Sequence, residues 1–178
     1  MPAFFLLQTV TFSEAFNMFE NRHKAVYPEI DATQPLLNQH GKTVLITGGN
    51  SGIGLAIAKA FASASASRII LVGRRSEKLL EAKAQLTSNI SSFHGDVDTY
   101  SCDISDTKKV EWLWDDLQMR GVAVDVMILN AAYMGSAQTI FEKGWRHIWA
   151  QYEINVRANM VFTDFFIKQA AKSQNSKA

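Results

Sequence analysis

Short apolar runs alternate with amphipathic stretches along most of this chain. Val44–Thr47 and Arg68–Val72 are runs of strand length without in–out alternation, the pattern of strands buried on both faces of a parallel sheet. Between them, Gly52 to about Ala66 carries Ile53, Ile57, Ala60 and Phe61 at helical spacing, which predicts a helix with these residues along one side. Ser76 to about Leu86 predicts a second helix, Thr87–Gly95 a polar loop, and Val97–Cys102 a third strand. Ser105 or Asp106 then caps a helix that runs to about Met119 and buries Val110, Leu113, Trp114 and Leu117. Val124–Leu129 predicts the fourth strand. From Glu142 or Lys143 to about Ala171 the pattern is helical again, with a break expected near Gly144. Strict alternation of strand and helix predicts an α/β, doubly wound parallel sheet that binds its ligand at the carboxyl ends of the strands.

Residues 1–41 read as an extension ahead of this pattern, with the domain proper at 42–178. In the extension Ser13 is expected to cap a short amphipathic helix carrying Phe16, Met18 and Phe19, followed by an irregular Tyr27–Asp31. With 178 residues, 47% of them hydrophobic, the chain is large enough for one ordinary core. A net charge of +1 gives no reason to expect nucleic acid or an anionic membrane as partner. No run approaches the roughly 20 apolar residues of a membrane span. Ala3–Leu7 lacks the preceding cations and following cleavage site of a signal peptide. The single cysteine, Cys102, cannot form an internal disulfide and points to a reducing compartment. These features predict a cytoplasmic protein without a metal site.

The chemistry is concentrated in Thr47-Gly48-Gly49-Asn50-Ser51-Gly52-Ile53-Gly54, which joins the first strand to the first helix. Gly48 is expected to turn the chain out of the strand, Gly52 to let a pyrophosphate approach the backbone, and Gly54 to let the helix pack closely on the sheet. The helix start then presents unpaired N–H groups and partial positive charge to phosphates. A glycine-rich turn without a ligand is the plain alternative, and the strand–loop–helix context argues against it.

The G-x-x-x-G-x-G spacing after Thr47 resembles the short-chain dehydrogenase/reductase family, and four later segments agree with it in order, over residues 42 to about 170. The resemblance implies a Rossmann-type fold and an oxidoreductase that reduces carbonyls or oxidises alcohols by hydride transfer. At the end of the second strand Gly73 stands where an acidic residue would hold a ribose 2′-hydroxyl, and Arg74 and Arg75 follow. Two guanidinium groups suit a 2′-phosphate, so NADP(H) is favoured over NAD(H). The alternative is that both are solvated charges at a helix entry.

Further along, the resemblance assigns Asp103 and Ile104 to the adenine, although Asp103 alone would read as a helix cap. It places Asn130 and Ala131 beside the adenosine-side ribose, at a strand end that also stabilises the sheet. Here the chain departs from the family pattern: Leu129 replaces an asparagine, and Ala132 replaces a glycine, narrowing the passage. Asn155 matches the asparagine that holds a water in a proton relay, its alternative being an ordinary polar residue inside a helix.

The resemblance also implies a catalytic serine and a Tyr-x-x-x-Lys pair. The residues four positions after Tyr27, Tyr100, Tyr133 and Tyr152 are Asp31, Ile104, Ala137 and Val156, so that pair is absent from this chain. The expectation is a shortened member, its sheet incomplete on one side. Its fourth strand would be an exposed edge, and the helix bearing Trp149, Ile154, Val161, Phe162, Phe165 and Phe166 would be only partly covered. A homo-oligomer or a partner chain would cover that side. Three readings stay open: an NADP(H)-dependent oxidoreductase acting on a small carbonyl or alcohol, with the extension hinting at specialised metabolism; a non-catalytic NADP(H)-binding or interaction protein; and a decayed product.

Overall fold

The computed structural model describes residues 25–135 and 139–175. The chain divides into two units, Met1–Asp31 and Ala32–Ala178. In the first, the described residues include a 3-10 turn at Pro28–Ile30; the helix expected after Ser13 lies outside them. The second unit carries everything that follows.

Its sheet has four strands, β1 (Thr43–Thr47), β2 (Arg68–Gly73), β3 (Asp96–Ser101) and β4 (Val126–Ile128), in the order β3-β2-β1-β4 and parallel at every pairing. The connecting helices are α1 (Gly52–Ser63), α2 (Ser76–Asn89) and α3 (Thr107–Met119). After β4 come a capped turn, α4 (Ile140–Lys143), then α5 (Trp145–Tyr152), a π-helical turn (Glu153–Arg157) and α6 (Ala158–Asn175). This is the doubly wound arrangement. Val44, Ile46, Ile69 and Leu71 share one buried cluster with α1 and α2, while Leu45, Ile70 and Val72 share the other with α3 and α6. Burial on both faces is why these strands carry unbroken apolar runs.

On the second face Trp114 is the centre. Its ring stacks on Phe165 and meets Phe162 edge-on, each at 6.4 Å between centroids. As expected, Val110, Leu113, Trp114 and Leu117 are buried, and Asp106 is the residue that caps α3, accepting from the Lys109 N–H. The polar content of β3 has an electrostatic reason. Arg68 on β2 pairs with Asp96 and Asp98, both at 2.6 Å, and Arg120 reaches Asp98 at 2.9 Å.

Four expectations are corrected. On α1 the fully buried positions are Gly54, Ala58 and Ala62; of the expected stripe, Ile57 and Phe61 are partly buried against the first cluster, whereas Ala60 is exposed and Ile53 is 75% exposed. At its start the helix lies against the Gly48 carbonyl, where Gly54 admits no side chain. Helix α2 runs three residues past Leu86, to Asn89, and the Thr87 hydroxyl inside this last turn is satisfied by the Lys83 carbonyl. Strand β4 has three residues, not six. Its preceding backbone at Val124 is taken by the Gln169 side chain, through both N–H and C=O, and its following N–H groups are taken by Thr47. Finally, the helix after β4 breaks at Gly144 (φ +75°) as expected but also contains the π turn, and Trp149 on it is exposed. Trp145, Tyr152, Val156 and Met160 face outward with it.

Among the described residues no helix is long and apolar enough to cross a membrane, and no cluster of His, Cys, Asp or Glu could hold a metal.

The packing of α6 can be tested directly. Phe162 is fully buried, so Phe162→Ala is expected to cost about 3–5 kcal/mol in urea unfolding. A loss below about 1 kcal/mol would contradict the packing of α6 against Trp114.

Candidate functional site

The register places Thr47 beside Val72 and Val72 beside Tyr100, so the carboxyl ends of β1, β2 and β3 lie level. β4 lies on the opposite side of β1, and the strand order therefore reverses between β1 and β4. In doubly wound sheets this switch point is where a crevice opens.

Thr47 is completely buried, and its hydroxyl oxygen accepts from the backbone N–H groups of Asn130 and Ala131, both at 3.0 Å. The Asn130 side-chain amide donates back to the Thr47 carbonyl at 3.0 Å. The chain then turns at Gly48, whose φ of +66° is left-handed and whose N–H bonds the Val72 carbonyl at 2.8 Å. A Cβ on Gly48 would also lie 2.9 Å from the Asn130 amide nitrogen. At Gly54 a Cβ would collide with the Gly48 carbonyl and lie 2.6 Å from the same amide. Both glycines are thus required by close approach around one asparagine. Ser51 precedes α1 in extended conformation and makes no side-chain capping bond, which leaves its hydroxyl and the first N–H groups of the helix open.

A cavity of about 300 Å³ lies along these strand ends. Of the residues expected from sequence, Gly48, Asn50, Ser51, Arg74, Arg75, Asp103, Ile104, Asn130 and Ala131 line it together. Thr47, Gly52, Ile53, Gly54 and Asn155 do not: Thr47 is sealed beneath the loop, Ile53 points away into solvent, and Gly54 lies against the Gly48 carbonyl. Gly73, Cys102 and Ala132 complete segments named above, whereas Tyr133 and Ile154 were missed. Ile154 read as core, and it is also packed against the Trp114 cluster. For Tyr133 no sequence signal distinguished a wall residue from a loop residue.

Among the described residues Arg74 and Arg75 form no salt bridge, and Arg74 bears electrostatically on Asp103. Partial burial works against ionisation of Asp103. Hydrogen bonds from the Ser105 hydroxyl (2.7 Å) and N–H (3.0 Å), with the Arg74 and Lys109 charges, outweigh it and hold the carboxyl below its ordinary range. Burial, then the nearby Asp103 and Asp106 charges, push the Cys102 thiol up to about 11, which favours the protonated thiol at neutral pH.

Asn155 sits in the π turn and spends its side chain on the backbone of Tyr133. It accepts from the Tyr133 N–H at 2.8 Å and donates to the Tyr133 carbonyl at 2.9 Å. It thereby fixes the wall where the chain leaves β4. At the other end of the π turn, Arg157 donates to the Ser105 carbonyl and the Thr107 hydroxyl, both at 2.7 Å.

Residues 42–177 match the family model described as short chain dehydrogenase. The chain belongs to the short-chain dehydrogenase family. A short chain dehydrogenase/reductase from Claviceps purpurea is 29% identical over 147 residues, covering 83% of this chain and 48% of that protein. A sorbose reductase from Schizosaccharomyces pombe is 44% identical over 93 residues, or 51% of this chain and 34% of that protein. The solved L-sorbose reductase from Gluconobacter frateurii, complexed with NADPH and L-sorbose, is 30% identical with a TM-score of 0.67, covering 74% of this chain and 48% of that one. The chain spans about half the length, or less, of these relatives.

For this member of an oxidoreductase family, the residues present fit a dinucleotide. Gly48 and Gly54 keep the loop backbone bare, α1 offers an uncapped start, and two cations, in no salt bridge among the described residues, stand on the cavity wall. The close approach at Gly54 makes a sharp expectation. Gly54→Ala should lower stability by about 1–3 kcal/mol in urea unfolding, and a variant of wild-type stability would contradict it.

Proposed function

We propose that this chain forms the NADP(H)-binding part of a short-chain oxidoreductase acting on a small carbonyl or alcohol substrate. The observation that carries the reading is the pairing of an acid-free β2 end with Arg74 and Arg75, which line the same cavity as the Gly48–Ser51 loop. A carboxylate there would bind a ribose 2′-hydroxyl and repel a 2′-phosphate; guanidinium groups do the reverse. In this reading Ser51 and the start of α1 hold the pyrophosphate, Asp103 and Ile104 flank the adenine, and Asn130 and Ala131 lie along the ribose.

When bound, NADPH supplies a hydride. The residues of this chain supply binding and orientation: Thr47 and Asn130 hold the loop open, Arg74 and Arg75 select the phosphate, and Asn155 fixes the Tyr133 wall. The relative complexed with NADPH and L-sorbose makes a ketose the first substrate to try.

A second reading is a non-catalytic NADP(H)-binding protein, favoured by one observation: none of the four tyrosines is followed four residues later by lysine. Binding that is tight and saturable while no carbonyl compound is turned over would favour it.

Fluorescence titration tests the shared core of both readings. NADPH is expected to bind more tightly than NADH, and Arg74→Ala to weaken NADPH about tenfold, the size of one charge-assisted bond. NADH affinity should stay within about twofold. Absence of saturable NADPH binding would refute the cofactor reading, and an unchanged NADPH affinity in the variant would refute the 2′-phosphate role.

A further inference from the structure

The π turn Glu153–Arg157 is tied to the cavity lining at two points, through Asn155 to Tyr133 and through Arg157 to Ser105, the residue bonded to Asp103. Glu153 engages the Arg157 Nε, which leaves the two terminal nitrogens directed at the entry to α3. One reaches the hydroxyl of Thr107, the first residue of α3, and the other the carbonyl of Ser105. A cation at a helix start is opposed by the helix dipole. The paired Glu153 carboxylate and two directed hydrogen bonds offset that field. What this placement secures is the Ser105 backbone. Ser105 in turn donates through both its N–H and its hydroxyl to Asp103 Oδ1. Among the described residues Asp103 Oδ2 takes no hydrogen bond, and Asp103 lines the cavity.

We propose that Arg157 is a positioning residue for the adenine end of the cavity: its guanidinium fixes Ser105, and Ser105 aims the Asp103 carboxylate so that Oδ2 receives a nucleotide base. This rests on the nucleotide-binding reading above. It makes the π turn a bracket, with Asn155 holding the Tyr133 wall and Arg157 holding the Asp103 wall across the same cavity. π turns recur at functional sites because the extra residue redirects side chains that a regular helix would space differently.

The probe is 2′,5′-ADP, which carries the adenosine half of the dinucleotide, titrated calorimetrically into the full chain. Arg157→Ala is expected to weaken its binding about tenfold, and guanidinium ion at low millimolar concentration to restore part of the loss. Hydrogen exchange at the Ser105 N–H should quicken in the variant. Arg157→Lys keeps the charge but reaches one acceptor, and about a threefold loss is expected. A cooperatively melting Arg157→Ala with wild-type affinity would overturn the proposal. So would a loss that guanidinium does not restore, with Ser105 exchange unchanged. Should Arg157→Ala fail to fold, wild-type affinity in Arg157→Lys overturns it equally. If the unaltered chain does not bind 2′,5′-ADP, the nucleotide reading falls and takes this proposal with it. If that chain binds and the variant binds as well, only the role of Arg157 falls.

Discussion

The Thr47 hydroxyl is the point on which the sheet and the cavity both depend. It lies fully buried at the end of β1 and accepts two backbone N–H groups, those of Asn130 and Ala131, that would otherwise be stranded beyond the last rung of β4. Each buried N–H without a partner costs about 1–3 kcal/mol. β4 pairs with β1 at only three positions, so this hydroxyl does part of the work of a longer ladder. The Asn130 side chain returns a bond to the Thr47 carbonyl, and the two residues lock the strand ends together.

That lock dictates the loop above it. With the Asn130 amide held against the turn, no side chain fits at Gly48 or Gly54, and the backbone must pass bare over the strand end. The start of α1 is drawn close to the sheet for the same reason, and its fully buried positions are Gly54, Ala58 and Ala62. On the far side the walls are held from α5 and α6 by one π turn, through Asn155 to Tyr133 and Arg157 to Ser105. The cavity is thus shaped by hydrogen bonds between elements and not by the glycine loop alone.

Much of this was legible in the chain itself. The apolar runs at Val44–Thr47 and Arg68–Val72 located β1 and β2 because burial on both faces leaves no polar positions. The stripe Val110, Leu113, Trp114 and Leu117 gave α3, and the Thr47–Gly54 spacing gave the loop. Contacts between distant segments were not legible. On α1 the expected stripe overlaps the packed side only at Ile57 and Phe61, since periodicity finds a stripe but not which edge of it faces the sheet. β4 was read too long because Gln169 and Thr47 claim backbone groups that a strand would use, and neither pairing has a local signature. The π turn left no trace either, being a shift of one residue inside a continuous helical pattern. Tyr133 is held in the wall by Asn155, 22 residues away, and its ring packs edge-on against His147.

The most direct test of this account is the unfolding free energy of Thr47→Val, measured in urea. Valine keeps the shape and burial of threonine and removes the hydroxyl, which accepts from Asn130 and Ala131 and donates to the Ile128 carbonyl at 3.4 Å. A loss of about 2 kcal/mol or more is expected, because two partly buried N–H groups lose their acceptor at once. Stability within about 0.5 kcal/mol of the unaltered chain would contradict it.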